Sequence, residues 1–127
     1  KGHAKSKLLS RLFLFMTPSN PYICIMTLSE FKVSLQDQAP PTGLNSLLLS
    51  LWYDAKGDWD KSHQIVQDIE TKEAAWIHAY LHRKEGDLSN ADYWYRQSGR
   101  KRPAFNLEEE FNHLLQYLIE AFETSIR

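Results

Sequence analysis

From residue 27 onward, apolar side chains return every third or fourth position, the spacing of one helix face. Leu28, Phe31 and Leu35 follow Thr27-Leu-Ser-Glu30, a pattern in which the hydroxyl and the glutamate satisfy each other's first-turn amides. The spacing predicts a first helix to about residue 37, stopped by Ala39-Pro-Pro-Thr-Gly43 because proline offers no amide hydrogen. Leu44, Leu47, Leu48, Leu51, Trp52 and Ala55 then outline a second helix ending at Gly57. Asp58 caps a third helix over residues 59–69, with Trp59, Ser62, Ile65, Val66 and Ile69 on one side and His63 beside that stripe.

The same pattern follows again. Residues 73–85 read as a helix, Gly86-Asp87 breaks it, and residues 88–98 continue with Ala91, Trp94 and Tyr95 inward before Gly99. Past the basic loop of residues 100–103, Asn106 caps a last helix whose first turn, Glu108-Glu-Glu110, suits a positive helix N-terminus. Phe111, Leu114, Leu115, Leu118 and Phe122 give it the cleanest apolar stripe of the chain, and it should close the fold. The one β-leaning run, residues 22–25, is too short to compete. The expected class is all-α, with about five helices.

A shift of 29 residues lays Gly57-Asp58 on Gly86-Asp87, Ser62 on Ala91 and Val66 on Tyr95. Each unit is a helix, a Gly-Asp turn and a second helix, with a small residue where the two must approach closely. On these residues the chain resembles the tetratricopeptide repeat. Ala79, Gly86-Asp87, Ala91, Tyr95, Ser98 and Pro103 fall at that family's spacing; the first unit has Ser50, Tyr53, Gly57-Asp58, Ser62 and Val66, but Ala74 in place of a closing proline. The period is also shorter than the family's, about 34. The run from Gly57 to Arg100 is similar to small bacterial helical proteins as well, a likeness that adds no mechanism.

The resemblance implies two hairpins over roughly residues 44–103, a C-terminal capping helix and a role as a protein–protein interaction module. It turns His78 and His82 into the hairpin and places Trp76, Tyr80, Arg83 and Lys84 on the concave face that meets a ligand. Helical rotation agrees, since Trp76, Tyr80 and Arg83 cluster within about 60° on the helix of residues 73–85. An aromatic and cationic face of this kind suits a peptide with apolar and acidic side chains. Two hairpins are few for a free-standing array, so either the last helix caps the stack or an apolar face forms a homodimer.

Composition sharpens this picture in three ways. With 43% hydrophobic, 24% charged and 13% aromatic residues, the chain is long enough for one packed domain, expected over residues 26–127. Cys24 is the only cysteine, which excludes an internal disulfide and a paired-cysteine metal knuckle and makes a reducing, cytoplasmic setting the natural expectation. The net charge of -1 hides a division: residues 1–25 carry four Lys/Arg and no acid, whereas the remainder carries eleven Lys/Arg against sixteen Asp/Glu. The basic leader is expected to be disordered or not native, with Met26 the start; the rival, a signal peptide, has only Leu12-Phe-Leu-Phe-Met16 as its apolar run. No run reaches the ~20 apolar residues of a membrane span.

The candidate chemistry centres on histidine. His78 and His82 are four residues apart on one helix, a spacing that chelates zinc or copper, with His63 the obvious third ligand and Glu85 or Asp92 as carboxylates. The metalloprotease pattern requires glutamate directly after the first histidine, where Ala79 stands. A histidine base beside Tyr53 or Tyr95 is the catalytic variant, yet no nucleophile elbow, phosphate loop or carboxylate pair accompanies it, which argues against an enzyme. The simplest alternative needs no cofactor: His63, His78 and His82 each hydrogen-bond a tyrosine hydroxyl or a backbone carbonyl. Arg96, Arg100, Lys101 and Arg102 form a basic patch, but the acidic body argues against nucleic acid. Trp52, Trp59 and Trp94 are expected to be core.

Overall fold

A computed structural model describes residues 26–125. Among them are six helices and no strand: α1 (Leu28–Ser34), α2 (Ser46–Ala55), α3 (Trp59–Val66), α4 (Lys72–Glu85), α5 (Leu88–Gln97) and α6 (Leu107–Ser125). The all-α expectation therefore holds, and the count is one above the estimate. The expectations for residues 1–25 lie outside the described residues. No described helix is long and apolar enough to cross a membrane.

Local chemistry sets the boundaries. The Thr27 hydroxyl accepts from the Glu30 amide at 3.1 Å and the Glu30 carboxylate from the Thr27 amide at 3.0 Å, the reciprocal cap expected of that sequence. α1 ends at Ser34 rather than near residue 37, because Leu35, Gln36 and Asp37 donate to carbonyls only three residues back. α2 begins later than its leucines suggest, since the Asn45 side chain accepts from the Leu48 amide at 2.9 Å and leaves Leu44 outside. Thr71 does the same for α4 at Ala74.

The two Gly-Asp turns are built alike. Gly57 and Gly86 stand at φ 89° and 91°, and the following aspartate amides reach back to the carbonyls of Tyr53 and His82 at 2.8 and 2.9 Å. An added Cβ at Gly86 meets nothing within 4 Å, so its requirement is conformational rather than steric. Gly86→Ala should accordingly lower stability by about 1–2 kcal/mol, and Gly86→Asn by less, in urea denaturation; equal losses for the two would contradict a purely conformational origin.

α2 pairs with α3 and α4 with α5, and α3 lies against α4 between the hairpins. Ser50, Ser62, Ala79 and Ala91, all fully buried, sit in these hairpins. α2, α4 and α6 form the other layer, with α1 against α6. The core centres on this layer and draws on Leu48, Leu51, Trp52, Ile77, Leu81, Leu114 and Leu115, joined by Phe31 from α1, Val66 from α3 and Tyr95 from α5, each at most 1% exposed. α1 is fastened by Trp52 Nε1 donating to Ser34 Oγ at 3.1 Å and by Lys56 Nζ donating to the carbonyls of Leu35 and Asp37.

Two buried carboxylates tie the layer together. Asp54 on α2, 2% exposed, accepts from Lys84 Nζ on α4 at 3.0 Å and from the Tyr80 hydroxyl. Glu110 on α6, with no exposure, accepts from Arg83 Nη1 at 2.7 Å, from the Tyr95 hydroxyl at 2.7 Å and from Trp76 Nε1 at 3.1 Å. Burial followed by the neighbouring carboxylate raises both tyrosines above the ordinary phenol range, so each stays a hydrogen-bond donor.

Candidate metal centre

α3 carries His63, and α4 carries His78 and His82 one turn apart on the side facing α3 and α5. An uninterrupted fourteen-residue α4 holds the latter pair in register, with His78 and His82 5% and 7% exposed. The packing of α3 on α4 brings His63 to them. His63 Nε2 and His78 Nε2 stand 2.9 Å apart, and one ligand nitrogen from each of the three rings lies within 4.8 Å of the others. His63 and His78 pair with each other and His82 with Glu85 and Asn90, so none of the three rings is held by the tyrosine hydroxyl or backbone carbonyl expected of it.

Each ring is oriented from behind. Trp59 lies parallel to His63, centroids 4.9 Å apart, and is itself held by Nε1 donating to the Leu81 carbonyl at 2.8 Å. Trp94 stacks on His78 at 4.0 Å. Glu85 Oε2 stands 2.6 Å from His82 Nδ1, so that nitrogen donates to the carboxylate, while Asn90 Nδ2 faces His82 Nε2 at 3.3 Å. This selects the tautomer whose Nε2 lone pair accepts from Asn90, so an ion bound at that nitrogen would take the place of the amide while Glu85 steadies the ring from behind.

Proton chemistry favours the neutral, ligating form at His63 and His78. Burial, then the neighbouring His63 and His82, lowers His78 to about 4. His63 is lowered mainly by burial and then by His82, against the opposing pull of Glu85 and Asp60. Two ring nitrogens 2.9 Å apart can share one proton or one cation, and a second proton is repelled.

A pH dependence follows. The folded His78 binds a proton less readily than the unfolded chain, whose histidine has the ordinary value of 6.5. The unfolded state gains that proton first as pH falls, so the contribution to stability is complete above about 6.5 and declines toward pH 4. The expected decline of metal-free protein is on the order of 2 kcal/mol across that window. Urea midpoints measured at successive pH values would show it, and His78→Gln should flatten the curve.

The other expected site residues fall elsewhere. Tyr95 turns to Glu110, and Tyr53 packs edge-on against Trp52 beneath Lys61, so neither joins the histidines. Asp92 is engaged with Arg102 at 2.9 Å, which also removes one member from the basic patch. Trp52 is core as expected, whereas Trp59 and Trp94 are only partly buried and serve as walls for histidine rings.

Trp76, Tyr80, Arg83 and Lys84 do not form the open concave face expected of them. Trp76 and Tyr80 are 7% and 3% exposed, and α6 packs against α4 there. Arg83 is spent on Glu110 and the Phe105 carbonyl, and Lys84 on Asp54. The reason is the apolar stripe of α6, which needs a partner and finds it on this side of α4. Of the two residues that organise these contacts, Glu110 reads from the sequence only as a first-turn acid, and Asp54 belongs to no motif. Their signal was positional: Glu110 shares the i, i+4, i+8 line with Leu114 and Leu118, and Asp54 the i+4, i+3 line with Ser50 and Leu51.

No protein-family model, curated protein or solved structure matches this chain.

Proposed function

We propose that the protein binds a divalent transition-metal ion such as zinc through His63, His78 and His82. The observation that carries this reading is the convergence of three imidazoles from two hairpins, with ligand nitrogens within 4.8 Å of one another. Borderline-soft nitrogen donors suit zinc or copper and are poor for magnesium or calcium, which take oxygen. Packing fixes the rings, and Glu85 directs one of them, so little ordering entropy remains to be lost on binding. Three protein nitrogens leave a tetrahedral ion one open position, the arrangement of reactive rather than purely structural sites. A bound ion would also link α3 to α4 and so clamp the first hairpin to the second.

The tetratricopeptide-like reading as a peptide-binding module acting through the helix of residues 73–85 requires a ligand to displace α6 from Trp76 and Tyr80. The histidine reading requires no such rearrangement, and for that reason it is preferred.

Untagged protein should bind one zinc ion, and a hundredfold excess of free zinc over Kd should stabilise it by about 2.7 kcal/mol. His78→Ala should weaken binding by roughly a hundredfold or more, since two nitrogens cannot hold the ion as three do. Absence of bound zinc by elemental analysis, together with an unshifted melting temperature, would refute the assignment.

A further inference from the structure

On the opposite side of α4 from the histidines, a cavity of about 320 Å³ opens between the start of α4, the end of α5 and the middle of α6. Lys72, Glu73 and Trp76 line it from α4, Gly99 and Arg100 from the loop after α5, and Tyr117 from α6. Its volume is at the small end of ligand pockets.

Arg100 is the unusual member. Its guanidinium carbon stands 3.6 Å from the centre of the Trp76 ring and 5.2 Å from that of Tyr117. Trp76 is fixed in turn by its bond to Glu110 and by edge contact with Tyr117 at 5.6 Å. The backbone beneath Arg100 is fixed too, because Gly99 turns at φ 76° and the Arg100 amide donates to the Tyr95 carbonyl at 2.8 Å. Yet among the described residues no carboxylate lies within ion-pair distance of Arg100, whereas Arg83, Lys84 and Arg102 each have one. An aromatic wall thus holds a planar, five-donor cation in place without neutralising it.

We propose that this cavity binds a small monocarboxylate with a flat, apolar body. The guanidinium fork matches a carboxylate bidentately, and Tyr117, 40% exposed beside it, offers a flat body its contact surface. Lys72 and Arg100 against Glu73 leave the lining at a net charge of one positive, which suits a monoanion and disfavours a phosphate dianion. This site is independent of the histidine centre and stands whether or not zinc binds.

Benzoate is the probe, followed by the indole N–H resonance of Trp76 in full-length protein. Saturable binding at millimolar concentration is expected, with benzamide, the neutral isostere, at least roughly tenfold weaker. Arg100→Gln should weaken benzoate at least roughly tenfold, while Arg100→Lys, which keeps charge but not the fork, should lose less. Lys72→Gln provides a second measure should Arg100→Gln disturb folding, with an expected loss of a few fold. Unsaturated or absent shifts with benzoate, unchanged affinity in both glutamine variants, or tighter binding of inorganic phosphate would each overturn the proposal.

Discussion

Ending the chain after Asn106 is expected to abolish cooperative unfolding. α6 contributes Leu114, Leu115, Leu118 and Ile119 to the core, none more than 5% exposed. Its removal would bare the apolar surfaces of α1, α2 and α4 that it covers. Each such side chain is worth about 1.5–3 kcal/mol buried rather than exposed, and a whole domain of this kind has only about 5–15 kcal/mol in hand. Arg83 would lose its carboxylate at the same moment. Calorimetry should show no sharp transition, and sedimentation should show self-association through the bared face. A monomeric product with a sharp transition would mean that the two hairpins are self-sufficient, which their small number argues against.

Within α6, Glu110→Ala should be the most costly single change, with a loss of about 3–5 kcal/mol. It strips the partner from a largely buried guanidinium and leaves the donors of Tyr95 and Trp76 unmet. The mechanism is testable by addition: Arg83→Met combined with Glu110→Ala removes the stranded charge, so the double variant should be more stable than Glu110→Ala alone in urea denaturation. A double variant that is less stable by the sum of the two single losses would show that the pair acts through packing and not through charge.

How far the sequence disclosed these features depended on whether the cause was local. The Thr27–Glu30 cap, the Gly-Asp turns and the small residues at 50, 62, 79 and 91 are decided within a few residues of chain or by repetition, and all were legible. The caps at Asn45 and Thr71 were hidden by apolar and acidic neighbours that equally well begin a helix. The inward direction of His78 and His82 was implied by the tetratricopeptide resemblance, but the 2.9 Å approach of His63 depends on how α3 lies on α4, and no periodicity carries that. The same holds for Trp59 and Trp94, whose indoles read as core because nothing in the chain shows that they back onto imidazoles. The misassigned face of α4 has a related origin. An apolar stripe on α6 announces that a partner exists without saying which surface it will cover. Glu110 was hidden by its company, since an acid in a first turn already has a sufficient explanation in the helix dipole.

The two buried carboxylates also give the stack a direction. Asp54 and Arg83 occupy equivalent places in units 29 residues apart, yet they carry opposite charge. The first answers to Lys84 on the following unit, the second to Glu110 on α6. Were α6 to slip back by one unit, or to seat on the first hairpin of another molecule, Glu110 would confront Asp54, and two desolvated anions would meet where an ion pair belongs. Charge thus gives Glu110 a partner on the second hairpin and none at the matching place on the first.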